Sequence, residues 1–169
     1  MRCGALLLAL ALTACGASRA APTPPEPEVP MVELIRSLAT ALAHATSARD
    51  LAATLGYATP SGDAAFTVRA NEMRLGTLRV VADAAGVPLQ VEVTLPSRSG
   101  LTVNELKRTF GTWKEMPKVS WTSPPSLAFP WVDLKDAPAT VAIFARLSLG
   151  APVSDAALVE GLLVRRDAR

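Results

Sequence analysis

The chain has 169 residues, with 17 Lys and Arg against 15 Asp and Glu, one His, and a formal net charge of +2. That near-neutral balance, without any basic block, excludes recognition of a phosphate backbone. Its two cysteines, Cys3 and Cys15, are too few for a structural zinc site built on several thiolates.

Residues 1–14 have the layout of a secretory signal. Arg2 and the terminal amine give a short positive region, the run Ala5 to Leu12 an apolar core, and Thr13 and Ala14 small residues before a cut. The run falls well short of the roughly 20 residues a membrane span needs. Leu12-Thr13-Ala14-Cys15 resembles the bacterial lipobox: aliphatic, small, small, cysteine. The resemblance implies lipidation of Cys15, and at ~0.8 kcal/mol per buried methylene two or more acyl chains hold a protein firmly on a membrane. With Cys3 removed and Cys15 acylated, no disulfide is expected. Gly16, where these lipoproteins can carry Asp, implies the outer membrane, with the body facing the periplasm.

Residues 15–30 then form the lipidated cysteine and a tether. Pro22, Pro24, Pro25, Pro27 and Pro30 enforce extended backbone. At ~3.1 Å per residue its reach is on the order of 40 Å.

Met31, Leu34, Ile35, Leu38, Leu42 and Ala45 recur at steps of three and four, which predicts a helix from Met31 to Ala45. His44 falls on its polar side near the end, where partial positive charge suits the macrodipole. Two later segments share one punctuation. Ser47 and Thr102 each precede an acid by three positions (Asp50, Glu105), Leu51 and Leu106 follow, and Gly56 and Gly111 close the run. This predicts two short capped helices with glycines in the left-handed conformation, and Leu101 stapled onto Leu106. The recurrence suggests two tandem helix-plus-meander repeats, at 31–98 and 99–169.

Strands follow each short helix. Phe66, Val68 and Ala70 alternate with Thr67, Arg69 and Asn71, Leu78, Val80 and Ala82 with Thr77, Arg79 and Val81, and then, across an Asp83–Gly86 turn, Val87, Leu89, Val91, Val93 and Leu95 with Pro88, Gln90, Glu92 and Thr94. In the second half Val119 and Trp121 suggest a short strand. Leu127 to Leu134 reads as a strand interrupted by Pro130, hence at an edge or bulged. Val141, Ile143, Ala145, Leu147 and Leu149 alternate inward. Ser154 then caps a predicted C-terminal helix with a stripe of Ala157, Leu158, Gly161 and Leu162. The fold class is therefore α+β, with helices packed on an antiparallel sheet.

Gly100, Thr102, Glu105, Leu106, Phe110 and Gly111 resemble the signature of the small lipoproteins of the outer-membrane barrel-assembly machinery. The doubled pattern resembles the β-lactamase-inhibitor-like proteins, which carry two such units side by side. Thr112-Trp113 stands where the assembly lipoproteins place Pro. Both resemblances imply a non-enzymatic binding or assembly role.

No catalytic set is legible: no Gly-x-Ser-x-Gly turn, no Ser-x-x-Lys, no His-Glu-x-x-His and no phosphate loop. His44 has no acid or thiol at helical spacing for a metal. Asp133 with Asp136, and Glu26 with Glu28, read as turn and linker residues. No cofactor is expected.

Aromatics gather in the second half: Phe110, Trp113, Trp121, Phe129, Trp131 and Phe144. Phe144 falls on the strand face opposite Ile143. Trp113, just past a helix-ending glycine, is expected at the surface. With Trp131, Lys107, Arg108 and Lys114 it forms the candidate partner-binding surface, since aromatics and cations concentrate at interaction hot spots. The competing reading makes the aromatics core. The sequence thus predicts a membrane-anchored adaptor or envelope assembly subunit that binds an envelope protein. The alternative is a carrier of a small apolar ligand or lipid, which requires a cavity between helices and sheet.

Overall fold

In the computed structural model, Met31–His44 forms helix α1, entered through Pro30, whose carbonyl accepts the amides of Glu33 and Leu34 at 3.0 and 3.4 Å. Ile35, Leu38 and Leu42 are buried as the periodicity predicts, Ala39 and Ala43 are buried beside them, Met31, Leu34 and Ala45 are half-buried, and His44 is exposed at the helix end. The structure describes residues 28–118, 120, 123–132, 134 and 136–168, with backbone alone at 130–132 and 168. The expected signal, Cys15, the tether through residue 27, Val119, Trp121, Asp133 and the side chain of Trp131 lie outside the described residues.

Ala48–Leu55 (α2) and Val103–Phe110 (α3) are the two short helices. Ser47 accepts the Asp50 amide, and Thr102 with Glu105 makes a complete reciprocal capping box. Leu101 and Leu106 are both buried, as a staple requires. The closing glycines divide: Gly111 takes the expected positive φ, at 89, and Gly56 does not. Gly56 has φ 161, which is extended backbone, and opens a strand instead of a left-handed cap. A Cβ there would lie 2.1 Å from the Arg69 carbonyl oxygen, so close strand approach is what requires glycine.

Eight strands form one antiparallel sheet: β1 (Gly56–Pro60), β2 (Ala65–Ala70), β3 (Thr77–Ala82), β4 (Pro88–Thr94), β5 (Lys114–Glu115), β6 (Ser126–Val132), β7 (Ala139–Leu147) and β8 (Val159–Ala168). Their order is β1-β2-β3-β4-β8-β7-β6-β5. The predicted C-terminal helix is thus wrong. Residues 159–168 are a central strand, hydrogen-bonded to β4 on one side and β7 on the other. A strand buried between two neighbours carries apolar residues on both faces, so its period of two is hidden and a Leu- and Gly-bearing run imitates a helix stripe.

Two smaller corrections follow from register. Val81 pairs with Gln90 but Ala82 with Pro88, so Leu89 is skipped by a bulge and is exposed while Pro88 is buried. Strand β7 ends at Leu147, which leaves Leu149 exposed. Pro130 does sit where β6 shifts register against β7, between Phe129 and Val132.

All three helices cover one face. Helix α2 lies on β1–β3, α3 beside β6, and α1 across β4, β7 and β8 at the middle of the sheet. A single apolar core joins them to Val68, Leu78, Val80, Val91, Val93, Leu127, Phe129, Val141, Ile143 and Val164. Arg166, on the same face of β8 as Val141, donates to the carbonyl of Ala45 and ties the end of α1 to the sheet. The other face carries no helix among the described residues.

Candidate functional site

Strand pairing sets the uncovered face in rows, because directly opposed residues point to the same side. One row crosses all eight strands: Thr59, Thr67, Arg79, Glu92, Leu163, Phe144, Ala128 and Lys114. The row on one side of it runs Tyr57, Arg69, Thr77, Thr94, Gly161, Arg146 and Ser126. The row on the other side places Gln90, Arg165 and Ala142 side by side. Polar alternation on β2, β3 and β4 therefore gives way at β8 and β7 to an apolar pair, Leu163 and Phe144, each half-buried in the middle of the sheet.

Fixed charges surround that pair. The Glu92 carboxylate accepts from Arg79 at 3.2 Å and from the Gln90 amide at 3.0 Å. Arg165 donates to both carboxylate oxygens of Asp167, at 3.2 and 3.4 Å, and its guanidinium carbon lies 5.2 Å from the centre of the Phe144 ring. Arg146 is exposed and makes no ion pair among the described residues.

The predicted site residues separate. Lys114 is exposed and ends the eight-strand row. Trp113 is half-buried against the core, not solvent-facing as expected, and its indole N–H donates to Asp155. Lys107 donates to the same carboxylate at 2.6 Å. These two contacts, Lys107 first, hold the Asp155 carboxyl below the usual carboxylate range. Arg108 is exposed on α3 without an ion pair among the described residues. Of the other aromatics, Phe129 is fully buried, Phe110 is half-buried against the core, and Phe144 faces away from Ile143 as the alternation predicts. Candidate surface and candidate core are thus both present, divided residue by residue.

Sequence reasoning missed Arg146, Gly161, Leu163 and Arg165. A glycine inside a strand signals close approach of another group, and an apolar residue at an outward strand position signals an unusual surface. Both signals are masked in the sequence, where Ala157, Leu158, Gly161 and Leu162 imitate a helix stripe.

A second polar cluster holds the start of the described chain. Arg74 donates to the Glu28 carboxylate at 2.8 Å and the Val29 carbonyl at 2.7 Å. It also pairs with Glu72, whose pKa its hydrogen bonds lower. Arg74's own pKa is raised, chiefly by the hydrogen bond to Glu72. Among the described residues no three His, Cys, Asp or Glu stand together as metal ligands, and no helix is long and apolar enough to cross a membrane.

A concavity of about 690 Å³ lies at the surface among Thr46–Arg49, Asp63, Ala64 and the 82–86 turn. A smaller one, about 230 Å³, lies on the uncovered face over Gly161. No family model matches the chain, and neither a curated protein nor a solved structure matches it.

Proposed function

We propose that this chain is a lipid-anchored, envelope-facing binding module that docks a protein on the uncovered face of its sheet and carries out no reaction itself. One observation carries the reading: three helices bury one face of an eight-stranded sheet, while the other keeps an apolar centre ringed by ordered charges. The bacterial lipobox at Leu12–Cys15 supports the anchor, and Gly16 supports the outer membrane facing the periplasm. Trp113 and Lys107 no longer belong to the docking surface, because Asp155 engages both. Lys114 stays in it.

The two tandem units are part of the same proposal. Strands β1–β4 follow α2, and β5–β8 follow α3, with β4 and β8 meeting at the centre. The Ala48 amide at the start of α2 donates to Gly86 in the β3–β4 turn, and the Val103 amide at the start of α3 donates to Ala157 in the β7–β8 connection. Equivalent amides capped by equivalent turns support duplication. The carrier reading needs a cavity between helices and sheet, and the volumes described above lie at the surface instead.

The test is a photoreactive residue at Lys114 or Thr67 in native cells, beside Cys15→Ser. Discrete protein adducts that need the anchor are expected. Lipid-sized adducts alone would turn the reading toward the carrier, and retention of Cys15→Ser in the membrane fraction would remove the anchor.

A further inference from the structure

On the uncovered face Gly161 stands between Thr94 of β4 and Arg146 of β7. A Cβ at 161 would stand 2.8 Å from an Arg146 guanidinium nitrogen and 2.9 Å from the Val93 carbonyl oxygen. The glycine therefore lets Arg146 lie across the strand. On one side of that guanidinium is the 230 Å³ concavity walled by Phe144 and Leu163. On the other is a second concavity of about 260 Å³, bordered by Leu158 and the 94–100 turn, and both share Thr94 and Arg146. Leu158 is 56% exposed and lines that second concavity.

We infer that this groove seats a through-running segment of a protein partner with the pattern apolar–acidic–apolar. The inference rests on the binding-module reading and specifies its ligand. The carboxylate of an internal Asp or Glu meets Arg146, one flanking side chain covers Phe144 and Leu163, and the other covers Leu158. Charge complementarity selects this occupant. Arg146 is a cation left without an ion pair among the described residues, whereas Arg79 and Arg165 are already engaged. Acids rim the groove on every side: Glu92 beyond Leu163, Asp167 beside Arg165, and Glu160 held by Ser148. A dense polyanion or an anionic lipid surface would set many negative charges against all three, whereas a segment with one acid sets a single carboxylate against Arg146 and apolar side chains elsewhere. Because the groove continues on both sides of Arg146, the acid belongs inside a segment and not at a chain end.

The test is amide and arginine side-chain NMR of the folded chain, titrated with the capped pentapeptide acetyl-Val-Leu-Asp-Leu-Val-amide. Its Asp→Asn counterpart and polyglutamate serve as parallel probes. Shifts centred on Gly161, Leu163 and the Arg146 side chain are expected, with the Asn peptide bound about tenfold more weakly. In Arg146→Gln that preference should vanish while the thermal midpoint stays put, because the native guanidinium has no ion-pair partner to lose among the described residues. Shifts centred elsewhere, equal binding of the Asp and Asn peptides, tighter binding of polyglutamate, or no shift at millimolar peptide would each overturn the assignment. Protein adducts from Lys114 or Thr67 alongside a silent groove would leave the binding module standing and remove only this ligand.

Discussion

The indole N–H of Trp113 donates to Oδ1 of Asp155 at 3.1 Å, while Lys107 Nζ reaches Oδ2 of the same carboxylate at 2.6 Å. One acid from the β7–β8 connection therefore gathers the end of α3 and the loop beyond it. Asp155 also offers its backbone carbonyl to the Asn104 amide at 2.7 Å, at the start of α3. The loop and the helix are clamped at both ends, which is why a tryptophan beside charged residues is half-buried.

This clamp is pH-dependent in a defined direction. Folding lowers the Asp155 pKa, so its stabilising contribution is fully present above the unfolded value near 3.9 and is lost as pH falls through the lower folded value. The Trp113 indole proton, followed by NMR, should titrate with a midpoint below that of an ordinary aspartate. A midpoint at or above 4 would show that Lys107 and Trp113 do not stabilise the charged form. Asp155→Ala should raise Trp113 indole exchange at neutral pH without changing sheet amides.

Arg74 makes the corresponding clamp at the start of the described chain, where one guanidinium joins Glu28, the Val29 carbonyl and Glu72. Arg74→Ala should speed hydrogen exchange at the Glu33 and Leu34 amides, which both bond to the Pro30 carbonyl and depend on how the chain enters α1. Unchanged exchange there would mean that α1 is held by its buried stripe alone. Amides of β7 and β8 should be indifferent.

What was legible in the sequence was local. The caps at Ser47 and Thr102 and the stripe of Ile35, Leu38 and Leu42 specify helices within a few residues, and Val68 and Val91 stand between polar neighbours in their strands. What was not legible depended on partners far along the chain. Strand β8 is strand because β4 and β7 flank it, and nothing in Val159–Val164 alone tells a two-residue period from a helical one. Strand β1 is short, contains Gly56 and Pro60, and buries no residue, so it has no hydrophobic pattern to read. The environment of Trp113 is set by Asp155 on another connection. The groove is hidden with β8, because Leu158, Gly161 and Leu162 imitate a helix stripe in the sequence.

Gly76 is a position where the chain has no substitute for glycine. Its φ is 67, and a Cβ would stand 2.3 Å from the Thr94 carbonyl oxygen and 3.2 Å from Pro96 Cδ. Gly86 has φ 81 but open space around it. Gly86→Ala should cost only the left-handed backbone penalty, ~1 kcal/mol, whereas Gly76→Ala should cost ~2–4 kcal/mol because β3 and β4 must separate as well. Urea unfolding of both variants decides this. Equal losses would mean that the strands give way freely at Thr94.

The two short helices offer a paired test of capping. Thr102 accepts the Glu105 amide at 3.3 Å, and Glu105 Oε2 receives both the Thr102 amide and its hydroxyl at 2.8 Å. Ser47 accepts only the Asp50 amide, at 3.3 Å. Removing Thr102's hydroxyl breaks a reciprocal set, while removing that of Ser47 breaks one bond. Thr102→Ala should therefore cost about 1–2 kcal/mol and Ser47→Ala about 0.5 kcal/mol, read from urea midpoints at unchanged slope. A double-mutant cycle of Thr102→Ala with Glu105→Ala should show coupling of ~0.5 kcal/mol or more, because each side chain holds the other's backbone. Additive losses would mean that α3 is started by the Ala157 and Asp155 carbonyls, which already take the Val103 and Asn104 amides.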